Sequence, residues 1–123
     1  MSLERQNMRK IDKPWGHEVI WAETDNYVGK ILHIDAGHRL SLQYHNFKEE
    51  TIYVMEGTLL AWSEEEGAVT VNKGDTWHNE PGRIHRFGAP QDADVVLLEV
   101  STPHLNDVIR LEDDYEREQD GCH

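Results

Sequence analysis

Short stretches in which apolar and polar residues alternate run through most of this chain. They predict strands at residues 17–23, 27–34, 51–57 and 68–71, and turns rich in glycine, proline, asparagine and aspartate separate them. Alternation with a period of two is typical of strands that bury one face. Residues 94–100 are almost entirely apolar and therefore predict a central strand. The pattern as a whole predicts an all-β fold.

Short strands with regularly spaced turns indicate a sandwich or a jelly roll of two antiparallel sheets. Only the segment after Asn106 has a helical pattern, and it is weak, so we expect a short C-terminal helix at most. The 123 residues fit a single domain. Residues 1–12 are predicted to be a flexible arm or an addition to a sheet edge, and residues 112–123 an acidic tail.

One predicted strand holds the first candidate chemistry. In it, Gln43 and His45 project from one face, while Leu40, Leu42 and Tyr44 point the other way. An imidazole beside an amide oxygen, with a carboxylate nearby, suits a divalent metal. The opposite face is apolar and must be covered, and pairing of two copies is one way to cover it. We therefore expect a homodimer.

Two neighbouring glutamates are candidates for the carboxylate. Glu50 shares a strand face with Ile52 and Val54, and that face is the more apolar of the two. Glu49 points to the other face and is expected to be solvated. The pattern therefore favours Glu50 as the ligand.

A second candidate stretch follows the glycine at position 74. A tight turn at Pro81-Gly82 leads directly into a strand that carries His85, which is a way to aim one imidazole inward. His78 lies on the preceding strand and is a rival candidate. The residues alone leave both histidines open.

The composition restricts the partners and the compartment. The chain has 24 acidic and 12 basic residues and a formal charge of −12, which argues against nucleic acid and anionic membranes as partners. Its single cysteine, Cys122, allows no internal disulfide. No apolar run approaches membrane-spanning length, and the N-terminus lacks the apolar region of a signal peptide. A cytoplasmic protein is expected.

The spacing of the candidate residues resembles the two motifs of the cupin superfamily. In the first, five residues separate Gly37 from Gln43, His45 follows two positions later, Glu50 comes after four more residues and Gly57 after another six. In the second, five residues follow the glycine at position 74, and the Pro-Gly turn precedes His85 by two residues. The proline is displaced by one position, and an alanine stands in place of the final asparagine. The resemblance implies a double-stranded β-helix, the cupin jelly roll.

Within that superfamily, the chain resembles the mannose-6-phosphate isomerase-like group. The resemblance rests on LSLQYHNFKEE at residues 40–50, KPWG at 13–16 and DVIRLEDDYE at 107–116. The group favours histidines where Asn46 and Phe47 stand, and Glu116 replaces a glycine of its tail.

The resemblance implies four metal ligands and three substrate-facing groups. The ligands are Gln43, His45, Glu50 and His85, with Zn²⁺ as the first expectation and Fe²⁺, Mn²⁺ or Ni²⁺ also compatible. The cations Lys48, which replaces an arginine of the group, and Arg110 are expected to contact a phosphate. Since Glu50 is expected to bind the metal, the base would be another group, either His78 or a metal-bound hydroxide.

The function so implied is a sugar-phosphate isomerase that moves a proton between adjacent carbons with the help of the metal. Two alternatives remain open because fold alone does not decide function. One is an Fe²⁺-dependent dioxygenase of small molecules, and the other is a sugar-binding cupin without catalytic activity. In each case the partner is a small molecule.

Overall fold

Residues 7–117 are described by a computed structural model, and they form eleven β-strands and no helix. The strands are β1 Arg9–Lys13, β2 Gly16–Glu23, β3 Val28–Ile34, β4 Leu42–Tyr44, β5 Glu50–Glu56, β6 Leu59–Ser63, β7 Gly67–Val71, β8 Thr76–Asn79, β9 His85–Gly88, β10 Val95–Ser101 and β11 Ile109–Glu112. Within this part of the chain, no helix is long and apolar enough to cross a bilayer.

The strands form two antiparallel sheets that face each other. One sheet has six strands in the order β1-β2-β3-β10-β5-β8, and the other has five in the order β11-β4-β9-β6-β7. From β3 onward the chain repeatedly crosses from one sheet to the other, which is the connectivity of a double-stranded β-helix. The predicted all-β jelly roll is therefore confirmed.

The two ends of the described chain differ in detail from the expectation. Arg9–Lys13 pairs with β2 along the sheet edge, which is the edge addition that the sequence left open beside a flexible arm. No helix follows Asn106 in the described part of the chain, which is within the predicted limit of a short helix at most, because Ile109–Glu112 pairs with β4 and residues up to 117 form turns. Residues 1–6 and 118–123, which belong to the predicted arm and acidic tail, lie outside the described residues.

The predicted alternation around Gln43 is also wrong in one respect. Strand β4 begins only at Leu42, and Leu40 is buried in the core instead of facing outward. The cause is the preceding loop, in which the Leu40 amide donates to the Phe87 carbonyl oxygen and Arg39 forms an isolated bridge with Gly88. These bonds set the direction of the side chains before regular pleating starts.

The space between the sheets is divided along the strands. At one end it is apolar, and residues such as Leu32, Val54 and Leu97 of the six-stranded sheet pack with Leu59 and Phe87 of the other. Trp15, of the turn between β1 and β2, is also fully buried in this cluster. Towards the other end, the inward positions of the same strands become polar. The apolar half provides the hydrophobic stabilisation, and the polar half holds the candidate site.

Two glycines in turns allow a test of how closely neighbouring backbone approaches the chain at these positions. Gly57 and Gly67 both have positive φ angles, 80° and 70°, which strain any residue with a Cβ. A Cβ at position 57 would lie 2.4 Å from the Asp94 carbonyl oxygen, whereas nothing lies within 4 Å at position 67.

We predict that Gly67→Ala costs about 1–2 kcal/mol of unfolding free energy. Gly57→Ala should cost roughly 1–3 kcal/mol more because of the collision. Chemical denaturation measures both, and equal losses would contradict the close approach.

Asp94 gives a prediction for acid stability. Its Oδ2 lies 2.8 Å from His33 Nε2, and its Oδ1 accepts the Ala36 amide at 2.8 Å. The His33 hydrogen bond, followed by that of Ala36, lowers the pKa of Asp94. Because the folded pKa lies below the value of about 3.9 in an unfolded chain, the stabilisation is complete above that pH and is lost as the pH falls through the folded pKa. Asp94→Asn should therefore flatten the acid limb of the stability curve, whereas Asn at the exposed Asp92 of the same loop should leave it unchanged.

Candidate metal centre

Three side chains converge in the polar half of the barrel interior. His45 Nε2 lies 2.9 Å from Glu50 Oε1, and His85 Nε2 lies 3.5 Å from the same oxygen. Their candidate ligand atoms all lie within 4.8 Å of one another, and each side chain is 1 % exposed. Glu50 starts β5 in one sheet, whereas His85 starts β9 and His45 directly follows β4 in the other, so the site forms only when both sheets have assembled.

The hydrogen bonds of the two imidazoles fix which nitrogen faces the centre. His45 Nδ1 donates to the Asp107 carbonyl oxygen at 2.5 Å, and His85 Nδ1 donates to the Arg83 carbonyl oxygen at 2.9 Å. A carbonyl oxygen only accepts, so each Nδ1 carries a proton, and Nε2 is the nitrogen that each ring turns towards Glu50. In the absence of a metal, a proton on Nε2 bonds the ring to the carboxylate, and a metal ion that displaces this proton would be bound by the same atoms. The arrangement therefore fits a divalent metal and has the carbonyl partners that orient metal-bound histidines.

Gln43, the fourth predicted ligand, lies beside this group. It is 1 % exposed and pairs with His85 across the β4–β9 ladder. Its Oε1 accepts the Ser41 hydroxyl at 2.7 Å, and an amide oxygen has a second lone pair to offer. The Ser41 bond orients the amide, and its oxygen has the chemistry of a weak metal ligand.

A buried lysine compensates the charge of the central carboxylate. Burial alone would raise the pKa of Glu50, but the Lys48 ammonium and hydrogen bonds with Glu99, His45 and His85 hold that pKa well below its usual range. Lys48 is 1 % exposed, and its Nζ lies 3.3 Å from Glu99 Oε2. Glu50 is thus ionised at neutral pH, which is the state a metal requires.

Glu99 was missed at the level of the sequence. It is fully buried, and burial raises its pKa to about 8, with Lys48 opposing the shift and Glu50 adding to it. The period of two could have revealed it, because Glu99 shares its strand face with the buried Val95 and Leu97. The continuous apolar run around it concealed this alternation.

A second buried ion pair lies on the neighbouring strands. Lys30 Nζ lies 3.4 Å from Glu18 Oε2, with both side chains fully buried, and Lys13 Nζ lies 3.9 Å from Glu18 Oε1. Lys30 is also the β3 partner of Glu99 in the ladder with β10. Charges of both signs therefore continue from the site across the six-stranded sheet.

The two cations predicted to contact a phosphate have inward positions. Lys48 is buried beside Glu99, as described above. Arg110, on β11, is 6 % exposed and pairs with Gln43 across the ladder to β4. Both side chains belong to the polar half of the interior that contains the three converging groups.

The expectation that His78 belongs to the site is not supported by its position. Trp77 and Asn79 take the inward positions of β8, so His78 faces outward, where its side chain is 45 % exposed. Its Nε2 lies 2.6 Å from Glu49 Oε2, and Glu49 is therefore outside as well. The choice of Glu50 over Glu49 and of His85 over His78 as interior groups agrees with this geometry.

The loop before β11 ties the site together from outside. The Asp107 carboxylate accepts the amides of Asn46, Phe47 and Lys48 at 3.0, 2.6 and 2.9 Å, while its carbonyl oxygen holds His45. Although burial opposes the shift, these amide bonds lower the pKa of Asp107. One residue thus fixes both a candidate ligand and the loop that leads to Lys48.

A second cluster and a groove offer other places for a ligand. His33, Asp35 and Asp94 also lie within ligand reach of one another, but they are partly exposed and Asp94 is engaged in the turn described above. A groove of about 390 Å³ lies beside Arg39, Trp62 and Arg86 and includes none of the four predicted ligands. Within residues 7–117, buried histidine nitrogens converge on a carboxylate at the interior group alone, which makes it the stronger candidate site.

Comparison with known proteins identifies the family. The model of the cupin domain matches residues 30–101, which is more than half of the chain, so the chain belongs to the cupin domain family. The match includes the three converging residues of the site.

Individual relatives are more distant. The chain is 26 % identical over 112 residues to a mannose-1-phosphate guanylyltransferase of Salmonella muenchen, and the match covers 89 % of this chain but only about a quarter (24 %) of that relative. A sugar phosphate isomerase of the cupin superfamily from Silicibacter pomeroyi superposes with a TM-score of 0.65 at 20 % identity, covering 79 % of this chain and 67 % of that one. The capsular polysaccharide assembling protein CapF of Staphylococcus aureus gives 0.74 at 15 %, covering 86 % and 34 %. The two structures share the fold.

The geometry predicts where a metal binds. Substitution of a residue that only hydrogen-bonds to a metal ligand typically weakens metal binding by roughly 10–100-fold. His45→Ala and His85→Ala should each weaken Zn²⁺ binding by more than this, because each removes a donor atom. His78→Ala is the matched control and should bind as the wild type does. Isothermal titration and elemental analysis of protein purified without chelator measure this. Equal affinity in all four proteins would contradict the assignment.

Proposed function

We propose that this cupin is a divalent-metal-dependent isomerase of sugar phosphates. The observation that carries the proposal is the orientation of His45 and His85, whose Nε2 atoms point at Glu50 while backbone carbonyls hold their Nδ1 atoms. Gln43 is the proposed fourth ligand. Zn²⁺ suits two nitrogen and two oxygen donors, and Fe²⁺, Mn²⁺ and Ni²⁺ are compatible with them.

The substrate class follows from the cations of the interior and from the relatives. Lys48 and Arg110 are buried or nearly so, and they are proposed to bind the phosphate of the substrate. The names of two similar proteins, a sugar phosphate isomerase and a mannose-1-phosphate guanylyltransferase, concern phosphorylated sugars. Both lines support a phosphorylated sugar, with mannose 6-phosphate as the first compound to test.

The chemistry needs a group that moves a proton between adjacent carbons. A bound divalent metal would polarise the sugar carbonyl and the neighbouring hydroxyl and so lower the cost of the enediolate. Glu50 is committed to the metal in this scheme, and His78 is on the outer surface. We propose Glu99 instead, because its carboxyl group is buried in the same interior between Lys48 and Glu50.

The substrate must be able to reach the buried candidate ligands. The candidate ligands are about 1 % exposed, so a sugar phosphate reaches them only when the cover over the site opens. The loop 46–48, which directly follows His45 and is held by the Asp107 carboxylate, is the proposed part of the cover that opens. A shallow depression of about 310 Å³ reaches Glu50 from the side of Tyr27 and Thr102 and is one route of approach.

An Fe²⁺-dependent dioxygenase is the second candidate. Two histidines and one carboxylate are the ligand set of many non-haem Fe²⁺ oxygenases, and the His45–Glu50–His85 group supplies that set. In that case Gln43 would stay outside the coordination shell. The two candidates differ in the need for oxygen.

Activity assays separate the candidates. We predict aldose–ketose interconversion of mannose 6-phosphate in the presence of Zn²⁺ or Mn²⁺, without oxygen uptake. His45→Ala should abolish it, and Glu99→Gln should lower kcat by about 10²–10⁴-fold while metal content is retained. Lys48→Ala should raise KM about 10–100-fold, since a charge-assisted contact is lost, and Lys48→Arg should restore part of it.

His78→Ala is the control for these variants and should keep full activity. Oxygen uptake without isomerisation would transfer the assignment to the dioxygenase. Saturable binding of sugar phosphate with neither reaction would leave a non-catalytic binding protein. Full activity of Glu99→Gln would remove Glu99 from the scheme.

A further inference from the structure

Strand β8 contributes one more buried polar group to the interior. Asn79, the last residue of that strand, has no exposed surface. It is the ladder partner of Glu50, so the two side chains are neighbours on the inner face of the six-stranded sheet. The turn 80–84 then joins Asn79 to His85, the first residue of β9. Asn79 is therefore next to one candidate metal ligand and a short turn away from another.

The indole of Trp77 fixes the orientation of the Asn79 side-chain amide. Trp77 Nε1 lies 2.8 Å from Asn79 Oδ1. An indole nitrogen only donates, so the atom that it contacts is the amide oxygen, and the NH₂ group lies on the other side of the amide carbon. Trp77 pairs with the apolar Ile52, whereas Asn79 pairs with Glu50. The NH₂ group is thus directed away from the apolar half of the interior.

The NH₂ group of Asn79 has no hydrogen-bond acceptor within the described residues 7–117. A buried donor without an acceptor is destabilising, and such groups are uncommon in folded proteins. The bond to Trp77 does not explain the NH₂ group, because that bond uses only the amide oxygen. A donor that is fully buried, held in one orientation and adjacent to Glu50 indicates a ligand that accepts a hydrogen bond there.

The proposed chemistry requires a donor of this kind. Lys48 and Arg110 are assigned to the phosphate, and Glu50 is assigned to the metal, so none of them is available for the sugar oxygens at the reacting carbons. Proton transfer between these carbons moves negative charge onto those oxygens. A fixed donor in a site that excludes water stabilises such an oxygen more in the transition state than in the ground state.

We propose that Asn79 is a substrate-binding residue whose NH₂ group donates a hydrogen bond to a carbonyl or hydroxyl oxygen of the ligand at the metal site. Trp77 is the positioning residue that keeps the amide in this orientation. The identity of the ligand, a sugar phosphate, rests on the proposed function. The donor itself serves any small oxygen ligand that reaches the site.

Four variants separate the donor from the packing around it. Asn79→Leu removes the NH₂ group at similar volume, but it also removes the acceptor of the Trp77 N–H. Trp77→Phe and the double variant Trp77→Phe with Asn79→Leu differ only at the amide, and replacing both partners of a hydrogen bond with apolar groups is nearly neutral for stability. His78→Leu, on the outer face of the same strand, is the matched control.

Kinetics with mannose 6-phosphate give the first measurement. The kcat of the double variant should be about 10²–10³-fold lower than that of Trp77→Phe, with a smaller change in KM, because the donor acts on charge that develops during the reaction. His78→Leu should keep the activity of the wild type. Zn²⁺ affinity should be equal in Trp77→Phe and the double variant. A loss of about 10–100-fold in the double variant would overturn the proposal, because Asn79 would then orient Glu50 and not the substrate.

Acetate binding to the Co²⁺-loaded protein is a second measurement, and it does not depend on isomerase activity. Acetate offers a charged oxygen to the site, and the visible absorption of Co²⁺ reports its binding. The acetate dissociation constant should be about 10–100-fold higher in the double variant than in Trp77→Phe, because a hydrogen bond to a charged group is lost. A wild type without isomerase activity would overturn the proposed function and leave this comparison to decide the role of Asn79. Equal acetate affinity in the two variants, or no acetate binding to the wild type, would overturn that role.

Discussion

The buried negative charge of Glu50 is the constraint on which the rest of this structure depends. A carboxylate inside a barrel is stable only when positive charge and hydrogen bonds replace the water it has lost. Lys48 and the two histidines serve this purpose, and Lys48 also faces Glu99. Loss of one partner of such a group leaves a buried charge uncompensated, which typically costs about 3–5 kcal/mol. The polar half of the interior is therefore an interdependent unit.

The division of the interior into an apolar half and a polar half explains how the fold accommodates these buried charges. Along β5 the inward residues change from Val54 and Ile52 to Glu50, and along β10 they change from Val95 and Leu97 to Glu99. Each strand thus contributes apolar surface at one end and a polar group at the other. The apolar end stabilises the packing of the two sheets. The sheets then hold the buried charged groups together, although each of these groups would be destabilised by loss of hydration if it were buried alone.

The sequence predicted the fold class and the groups that converge, because both depend on periodicity and spacing. The period of two distinguished Glu50 from Glu49, whereas the choice of His85 over His78 came from the resemblance to the second cupin motif. The environment of Glu99 was not predicted, since it depends on Lys48 from a loop distant in sequence. Leu40 was misplaced because loop hydrogen bonds, rather than pleating, direct its side chain. The weak helical pattern after Asn106 forms no helix in residues 107–117, because pairing of β11 with β4 outweighs a weak local preference.

The most direct test of the account is a crystal structure of the metal-loaded protein with anomalous scattering recorded at the zinc edge. The account predicts one strong peak in the interior, about 2.0–2.2 Å from the Nε2 atoms of His45 and His85 and from a Glu50 oxygen. Both Nδ1 atoms should keep their bonds to the Asp107 and Arg83 carbonyl oxygens. A peak only at the surface cluster of His33, or an interior without metal in which a proton joins His45 to Glu50, would contradict it.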